Sequence, residues 1–287
     1  MEKLQIFIQL TRLNKPVGFL LLFWPCAWGL TLAYYYNRET ILYLKYIILF
    51  FLGSILMRSA GCIFNDIADR DFDKKVQRTK KRPIASGKIS ILNASFYIAL
   101  LCMLSLFILL QFNFLTVALG ISSMILAFTY PFMKRITYWP QLFLGLTFNW
   151  GIIIGWTSIA NDISAEPIIL YIAAIFWTLG YDTIYGLQDM GDDEIIGIKS
   201  TSIKFKNSVK IFVGTCYSLC VLFILILYFM MEIDKYLLVL SIFFILSLIY
   251  QIKIFKIENP KSCLNAFRIN NLTGFFVFIF TFSFIFS

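Results

Sequence analysis

Two clusters of carboxylates stand where long apolar runs end, in a chain that contains no histidine. The first is Asn65-Asp66-Ile67-Ala68-Asp69-Arg70-Asp71-Phe72-Asp73, and the second runs from Asp182 through Tyr185 and Asp189 to Asp193. If the preceding apolar helix continues through the first cluster, Asp66, Asp69 and Asp73 fall at i, i+3 and i+7 on one face. Asp182, Tyr185, Asp189 and Asp193 make a second stripe in the same way. A carboxylate at a membrane helix centre costs about 2.5–3.5 kcal/mol, so two such groups need compensation. Two stripes of oxygens facing each other suit hard cations such as Mg²⁺, which takes one or two carboxylates together with waters and phosphate oxygens. The expectation is more than one Mg²⁺ bridging a diphosphate, with Asp66, Asp69, Asp73, Asp189 and Asp193 as metal ligands.

Basic residues near the clusters are the candidates for holding that phosphate. Arg78 and Arg82 follow the first cluster, Lys134 ends a later apolar run, and Lys199 follows the second cluster. Arginine grips phosphate with two parallel hydrogen bonds, whereas lysine acts as a point charge, so Arg78 and Arg82 lead. Arg58 lies deeper, inside an apolar run, seven residues before Asn65 and on its face. An arginine inside the membrane marks function. It either holds an anionic group of a second substrate or balances the carboxylates; residue spacing leaves both open.

The elements that position these residues are membrane spans. The 287 residues are 60% hydrophobic and 14% charged, with mean hydropathy +0.80. No ordinary soluble domain has this composition, and no separate soluble domain is legible. Nine spans are expected, at about 16–36, 41–61, 91–111, 113–133, 140–160, 166–187, 209–230, 236–252 and 269–287. The basic N-terminal stretch reads as the lead into a first helix, not as a cleaved signal. With a cytoplasmic N-terminus, cytoplasmic segments hold 21 of the 25 Lys and Arg and the opposite side holds Arg38 and Lys235. The positive-inside rule selects that orientation, and it accounts for the net charge of +9 without any nucleic-acid partner. Both acidic clusters, which hold nine of the sixteen acidic residues, then lie on the same cytoplasmic side. A transporter would spread charge across the bilayer depth. The six cysteines fall in or beside apolar spans without histidine partners and read as filler. The 31 Phe, 15 Tyr and 6 Trp supply packing, with a few free to line a greasy tunnel.

The stretch Arg58-Ser59-Ala60-Gly61-Cys62-Ile63-Phe64-Asn65-Asp66-Ile67-Ala68-Asp69-Arg70-Asp71-Phe72-Asp73, with Arg78-Thr79 and Arg82-Pro83 to Gly87, resembles the NDxxDxxxD motif of the UbiA superfamily of intramembrane prenyltransferases. Tyr181-Asp182 through Tyr185, Asp189 and Asp193 to Lys199-Ser200-Thr201 resembles that superfamily's second motif. Arg12-Leu13-Asn14-Lys15-Pro16, Trp24-Pro25 and Tyr130-Pro131 to Arg135 are similar to the branch that prenylates 4-hydroxybenzoate in ubiquinone synthesis. The resemblance covers almost the whole chain. It implies an all-α polytopic bundle of nine transmembrane helices in one domain, Mg²⁺, a polyprenyl diphosphate donor, and 4-hydroxybenzoate as acceptor. The substrates then meet within the lipid bilayer, expected to be a bacterial inner membrane. Asp182, innermost on its stripe, is the candidate base, with Tyr185 as the second catalytic candidate.

Overall fold

The computed structural model describes residues 2–77 and 79–287. In chain order its helices are α1 (Glu2–Thr11), α2 (Val17–Asn37), α3 (Thr40–Ala68), α4 (Arg70–Asp73), α5 (Ile91–Leu109), α6 (Phe114–Ile136) and α7 (Pro140–Ala160). There follow α8 (Ala165–Gly186), α9 (Met190–Ile195), α10 (Thr201–Lys204), α11 (Val209–Met230), α12 (Ser241–Ile254) and α13 (Pro260–Ser283). Among the described residues nine helices are long and apolar enough to cross a membrane, α12 counting with the 3₁₀ turns that lead into it. Their positions agree with the nine expected spans, with one large difference.

The last span begins at Pro260 rather than 269. The Asn259 side chain accepts from the backbone N–H of Lys261 and Ser262 at 3.1 and 3.3 Å, and Pro260 occupies the first turn, where its missing N–H costs nothing. Asn265, Arg268, Asn270 and Asn271 dilute the hydropathy of this first half and hide it from an apolar-run reading. One of them is held across the bundle: Asn270 is fully buried and accepts from Trp177 Nε1 at 2.8 Å. Glu2–Thr11 also form a separate helix, α1, which lies against α3. After it Arg12 takes a left-handed φ of 55°, an uncommon conformation for a side-chain-bearing residue.

The centre of the bundle is built from α2, α7, α8 and α13. The α2–α7 pair is the closest, because Gly29 and Gly155 let backbones touch: a Cβ on Gly29 would strike the Ile152 carbonyl, and one on Gly155 the Cys26 carbonyl. In lipid, where burial gives little drive between helices, such close approach is the main source of cohesion. The Trp28 and Trp177 rings pack 5.1 Å apart, and Trp28 Nε1 donates to the Gly274 carbonyl at 2.9 Å. This knot fixes α8 relative to α2 and α13. On one side α11 and α12 complete the packing; on the other stand α3, α5 and α6. The C-terminal end of α3, the C-terminal end of α8, and both acidic clusters share one side of the bundle, the charged side.

Candidate functional site

Each acidic cluster is split by a break in its helix. The α3 helix stops at Ala68, Asp69 takes a non-helical position, and α4 resumes for one turn. The α8 helix stops at Gly186, and Asp189 caps α9 in the same way. The stripes expected from continuous helices are therefore bent, and what draws the first one together is charge. Arg82 donates to Asp66 Oδ1 at 3.1 Å and to Asp73 Oδ2 at 2.8 Å, closing the loop that follows α4 back onto α3. Thr79 Oγ1 anchors the same loop to the Asp73 carbonyl at 3.1 Å. Asp66 and Asp73 are both buried. Burial pushes the Asp73 carboxyl above its usual range, with Arg82 pulling against it.

Asp69 points elsewhere, to Lys134 of α6 at 2.5 Å, while Arg135 donates to the Ala68 carbonyl. Its Oδ1 is buried without a hydrogen bond, Arg135 lying 3.8 Å away. An orphaned, buried carboxylate oxygen is costly in a folded protein and suits a ligand that arrives later. Among the described residues no three carboxylate or thiol groups gather closely enough to hold a metal unaided. A hard cation here would complete its shell with waters and phosphate oxygens, as Mg²⁺ does. The donor set, all carboxylate oxygen, fits such an ion. Asp69 is the residue best placed to hold it, followed by Asp66 and Asp73 where Arg82 and Arg12 release them. Asp189 and Asp193 stand half-buried on the α8–α9 side.

Arg58 extends from α3 into the bundle, over the Phe148 ring at 5.4 Å. Gly18 of α2 makes room for it, since a Cβ there would lie 2.7 Å from Arg58 Nε. That Nε is buried without a partner. Asp182, on α8, is half-buried, and Arg58 is the charge that acts on it. Tyr185, one turn on, packs its ring 4.6 Å from Phe267 of α13. Arg58 and Asn65 also form the polar end of a cavity of about 370 Å³ that runs from the charged side into the membrane interior between α2, α3, α5, α6 and α7. The rest of its wall is mostly apolar, with Tyr130, Phe148, Phe50 and Phe112 among the aromatic residues. The greasy tunnel thus exists, lined by small and aliphatic side chains as much as by rings.

Of the phosphate candidates, Arg82 and Lys134 are on the carboxylates. Lys199 is not: its Nζ donates to the Ile136 carbonyl at 3.2 Å and lies over Tyr138. Arg78 lies outside the described residues. Two residues that spacing alone left out belong here. Arg12, between α1 and α2, reaches Asp66 Oδ1 at 2.5 Å. Tyr130 lines the cavity within the field of Asp182, Arg58, Asp69 and Tyr185. Arg12 is 54 residues from Asp66, so no local pattern pairs them; the signal available for both was their place in the stretches Arg12 to Pro16 and Tyr130 to Arg135 that carry the family resemblance.

The sequence pattern described as the UbiA prenyltransferase family matches residues 22–280. A relative from Caenorhabditis elegans named "4-hydroxybenzoate polyprenyltransferase, mitochondrial" is 49% identical over 72% of this chain and 58% of its own. One from Pseudomonas aeruginosa named "4-hydroxybenzoate octaprenyltransferase" is 38% identical over 95% of this chain and 91% of its own. The chain spans little more than half the length of several curated relatives it matches. A solved structure of a homologue from Archaeoglobus fulgidus, described as bound to GPP and Mg²⁺, superposes with a TM-score of 0.71 at 19% identity, over 98% of this chain and all of that one. At that identity the likeness is one of fold.

Proposed function

Because the chain belongs to the UbiA prenyltransferase family, we propose that it transfers a polyprenyl group from polyprenyl diphosphate to 4-hydroxybenzoate, at the ring carbon ortho to the hydroxyl. The reaction releases diphosphate and would serve ubiquinone biosynthesis. The observation that carries this reading is the cavity: mostly apolar along its length, headed by Arg58 and Asn65, and opening toward carboxylates interleaved with basic side chains. A substrate with a long hydrocarbon tail and a polyanionic head matches that division. The names of the relatives support the same acceptor and donor.

Mg²⁺, when bound, supplies the positive charge that neutralises diphosphate as it leaves. The basic residues of this chain act on the same group. Arg82, Arg12 and Lys134 already converge on the carboxylates and present donors to phosphate oxygens; Arg78 is proposed with them, and Lys199 at a greater remove. The allylic C–O bond breaks with its electrons going to diphosphate, and the ring carbon forms the new C–C bond. The ring proton then leaves, for which Asp182 is the proposed acceptor, with Tyr185 beside it. Arg58 is proposed to hold the acceptor's carboxylate, its unpartnered Nε being a donor in want of an anion.

The experiment is a product assay in membranes, offering radiolabelled polyprenyl diphosphate with several aromatic acids. Prenylated 4-hydroxybenzoate is the expected main product; a preference for a naphthoate or another acceptor would move the chain to a different branch of the family. The charged side is proposed to face the cytoplasm or the equivalent compartment. A cysteine placed in the 74–88 loop should react with an impermeant reagent from that side alone, and one near residue 162 from the other alone. Reversed labelling would overturn the orientation. The multi-pass membrane location holds in either case. The expected bacterial inner membrane gains no support from the relatives, several of which carry "mitochondrial" in their names.

A further inference from the structure

A groove of about 380 Å³ between α12 and α13 lies outside the proposed reaction. Tyr250, Ile254, Ser262, Asn265 and Ile269 line it, and it shares no residue with the central cavity. Its inner edge is fixed by a buried polar network. Tyr217 donates to Gln251 Oε1 at 2.6 Å, Gln251 Nε2 donates to Thr273 at 2.9 Å, and Ser247 and Thr273 share a hydrogen bond at 2.6 Å. At the charged end Ser262 Oγ accepts from the Lys256 N–H at 2.9 Å and donates to the Asn259 carbonyl at 2.8 Å, which fixes the turn joining the two helices. The outer edge faces lipid: Tyr250 is 56% exposed, and Asn265 is exposed as well.

Positive charge surrounds this groove. From Tyr250 to Ile269 the chain carries Lys253, Lys256, Lys261 and Arg268 against one acid, Glu258. Lys253 follows Tyr250 by three residues, Lys261 precedes Asn265 by four, and Arg268 follows Asn265 by three. Each therefore stands one helical turn from a lining residue. All three cations are exposed. Other cations on the charged side are committed: Lys134 to Asp69, Lys206 to Glu194 and Lys199 to the Ile136 carbonyl. Among the described residues the side chains of Lys253, Lys261, Arg268 and Asn265 have no ion pair and no hydrogen bond. Three uncommitted cations and a free amide thus meet beside an apolar wall at the end of two membrane spans.

We propose that this groove binds an anionic phospholipid. The headgroup phosphate lies among Lys253, Lys261, Arg268 and the Asn265 amide, and the first acyl carbons lie on Tyr250, Ile254 and Ile269. Basic pockets between membrane helices on the positively charged side suit such headgroups, and a tyrosine at that depth is a common interfacial anchor. A free phosphate would use the cations and leave the apolar wall unused; a lipid uses both. A zwitterionic lipid brings its own cation, which the three basic side chains repel. Because the cations come from both helices, a bound headgroup straps α12 to α13 on the face opposite the buried network.

The test reconstitutes the whole protein in bilayers of phosphatidylglycerol and phosphatidylcholine in equal amounts, extracts it gently, and counts retained lipids by native mass spectrometry. One phosphatidylglycerol is expected to stay bound in preference to phosphatidylcholine. Each cation near an anionic headgroup is worth about fivefold in binding, so Lys253→Gln, Lys261→Gln and Arg268→Gln together should lower that retention at least about tenfold. Lys75→Gln, Lys80→Gln and Lys81→Gln, three exposed cations on the same side of the bundle, should leave it unchanged. A second measurement places the lipid: the added fluorescence of Tyr250→Trp should be quenched more by brominated phosphatidylglycerol than by brominated phosphatidylcholine at the same mole fraction. Equal retention of the two lipids, equal loss in the two triple variants, or equal quenching by the two brominated lipids would each overturn the groove as a specific site.

Discussion

Asp69→Asn lowers kcat/KM by at least about 10²-fold while leaving the protein folded, because it removes one charged oxygen from a diphosphate clamp. Asparagine keeps the shape and the acceptor directed at Lys134, so the 2.5 Å contact survives as a weaker hydrogen bond and the α3–α6 junction stays closed. What is lost is the charge on the buried Oδ1, which has no hydrogen bond among the described residues. Asp189→Asn, at the matching helix break of α8, should be as damaging. Chelation of divalent ions should abolish turnover of the unmodified protein, and added Mg²⁺ should restore it. Thermal unfolding in detergent, matched to the unmodified chain, separates this loss from misfolding. Full turnover in chelator-treated membranes would sink the metal hypothesis, and normal kinetics of Asp69→Asn would remove this residue from it.

The second large effect is expected at Arg58. If it holds the acceptor's carboxylate, Arg58→Ala raises the acceptor KM far more than the donor KM. A charge-assisted hydrogen bond is worth roughly 1.5–3 kcal/mol, about 10- to 150-fold in affinity. The variant should also lose its discrimination between 4-hydroxybenzoate and the uncharged methyl ester. The geometry favours this role over charge balance. Among the described residues Arg58 is in no ion pair and its Nε is orphaned, and Phe148 covers one guanidinium face, whereas Asp66 already has Arg12 and Arg82. Were Arg58 instead a counter-charge for the carboxylates, donor and Mg²⁺ dependence would worsen and acceptor preference would stay put. Kinetics with each substrate varied in turn decide between the two. An unchanged acceptor KM in a folded variant would assign that task to another cation, with Arg12 next in line.

The spans were legible because membrane helices are written in one dimension: a run of apolar residues long enough to cross hydrocarbon has little other option, since every backbone N–H and C=O must be satisfied within it. The exception, α13, shows the limit of that logic. Its first half carries asparagines and an arginine, and it is a helix because Asn259 and Pro260 start it and because Trp177 satisfies Asn270. The start signal is local and was available; the partner on α8 was not.

The site divides in the same way. Residue types and their spacing were enough to mark both acidic clusters, Arg58 and the basic residues after them, because uncompensated charge beside apolar spans has few explanations. They could not say which cation meets which carboxylate. Asp66 and Asp73 are joined by Arg82 across a loop, Asp69 faces Lys134 on another helix, and Lys199 turns away to a carbonyl. Arg12 enters from the turn that follows α1, a helix the apolar spans do not foretell, and Tyr130 and Phe148 join the site only because α6 and α7 lean on the cavity. By itself, then, the sequence determined the membrane class, the nine spans and the inventory of charges, all properties set by neighbours along the chain. The pairing of those charges, the bend at Asp69 and Asp189 and the cavity depend on contacts that no local pattern spells out, the ion pairs joining residues 9 to 65 positions apart. Only the packing of whole helices decides those.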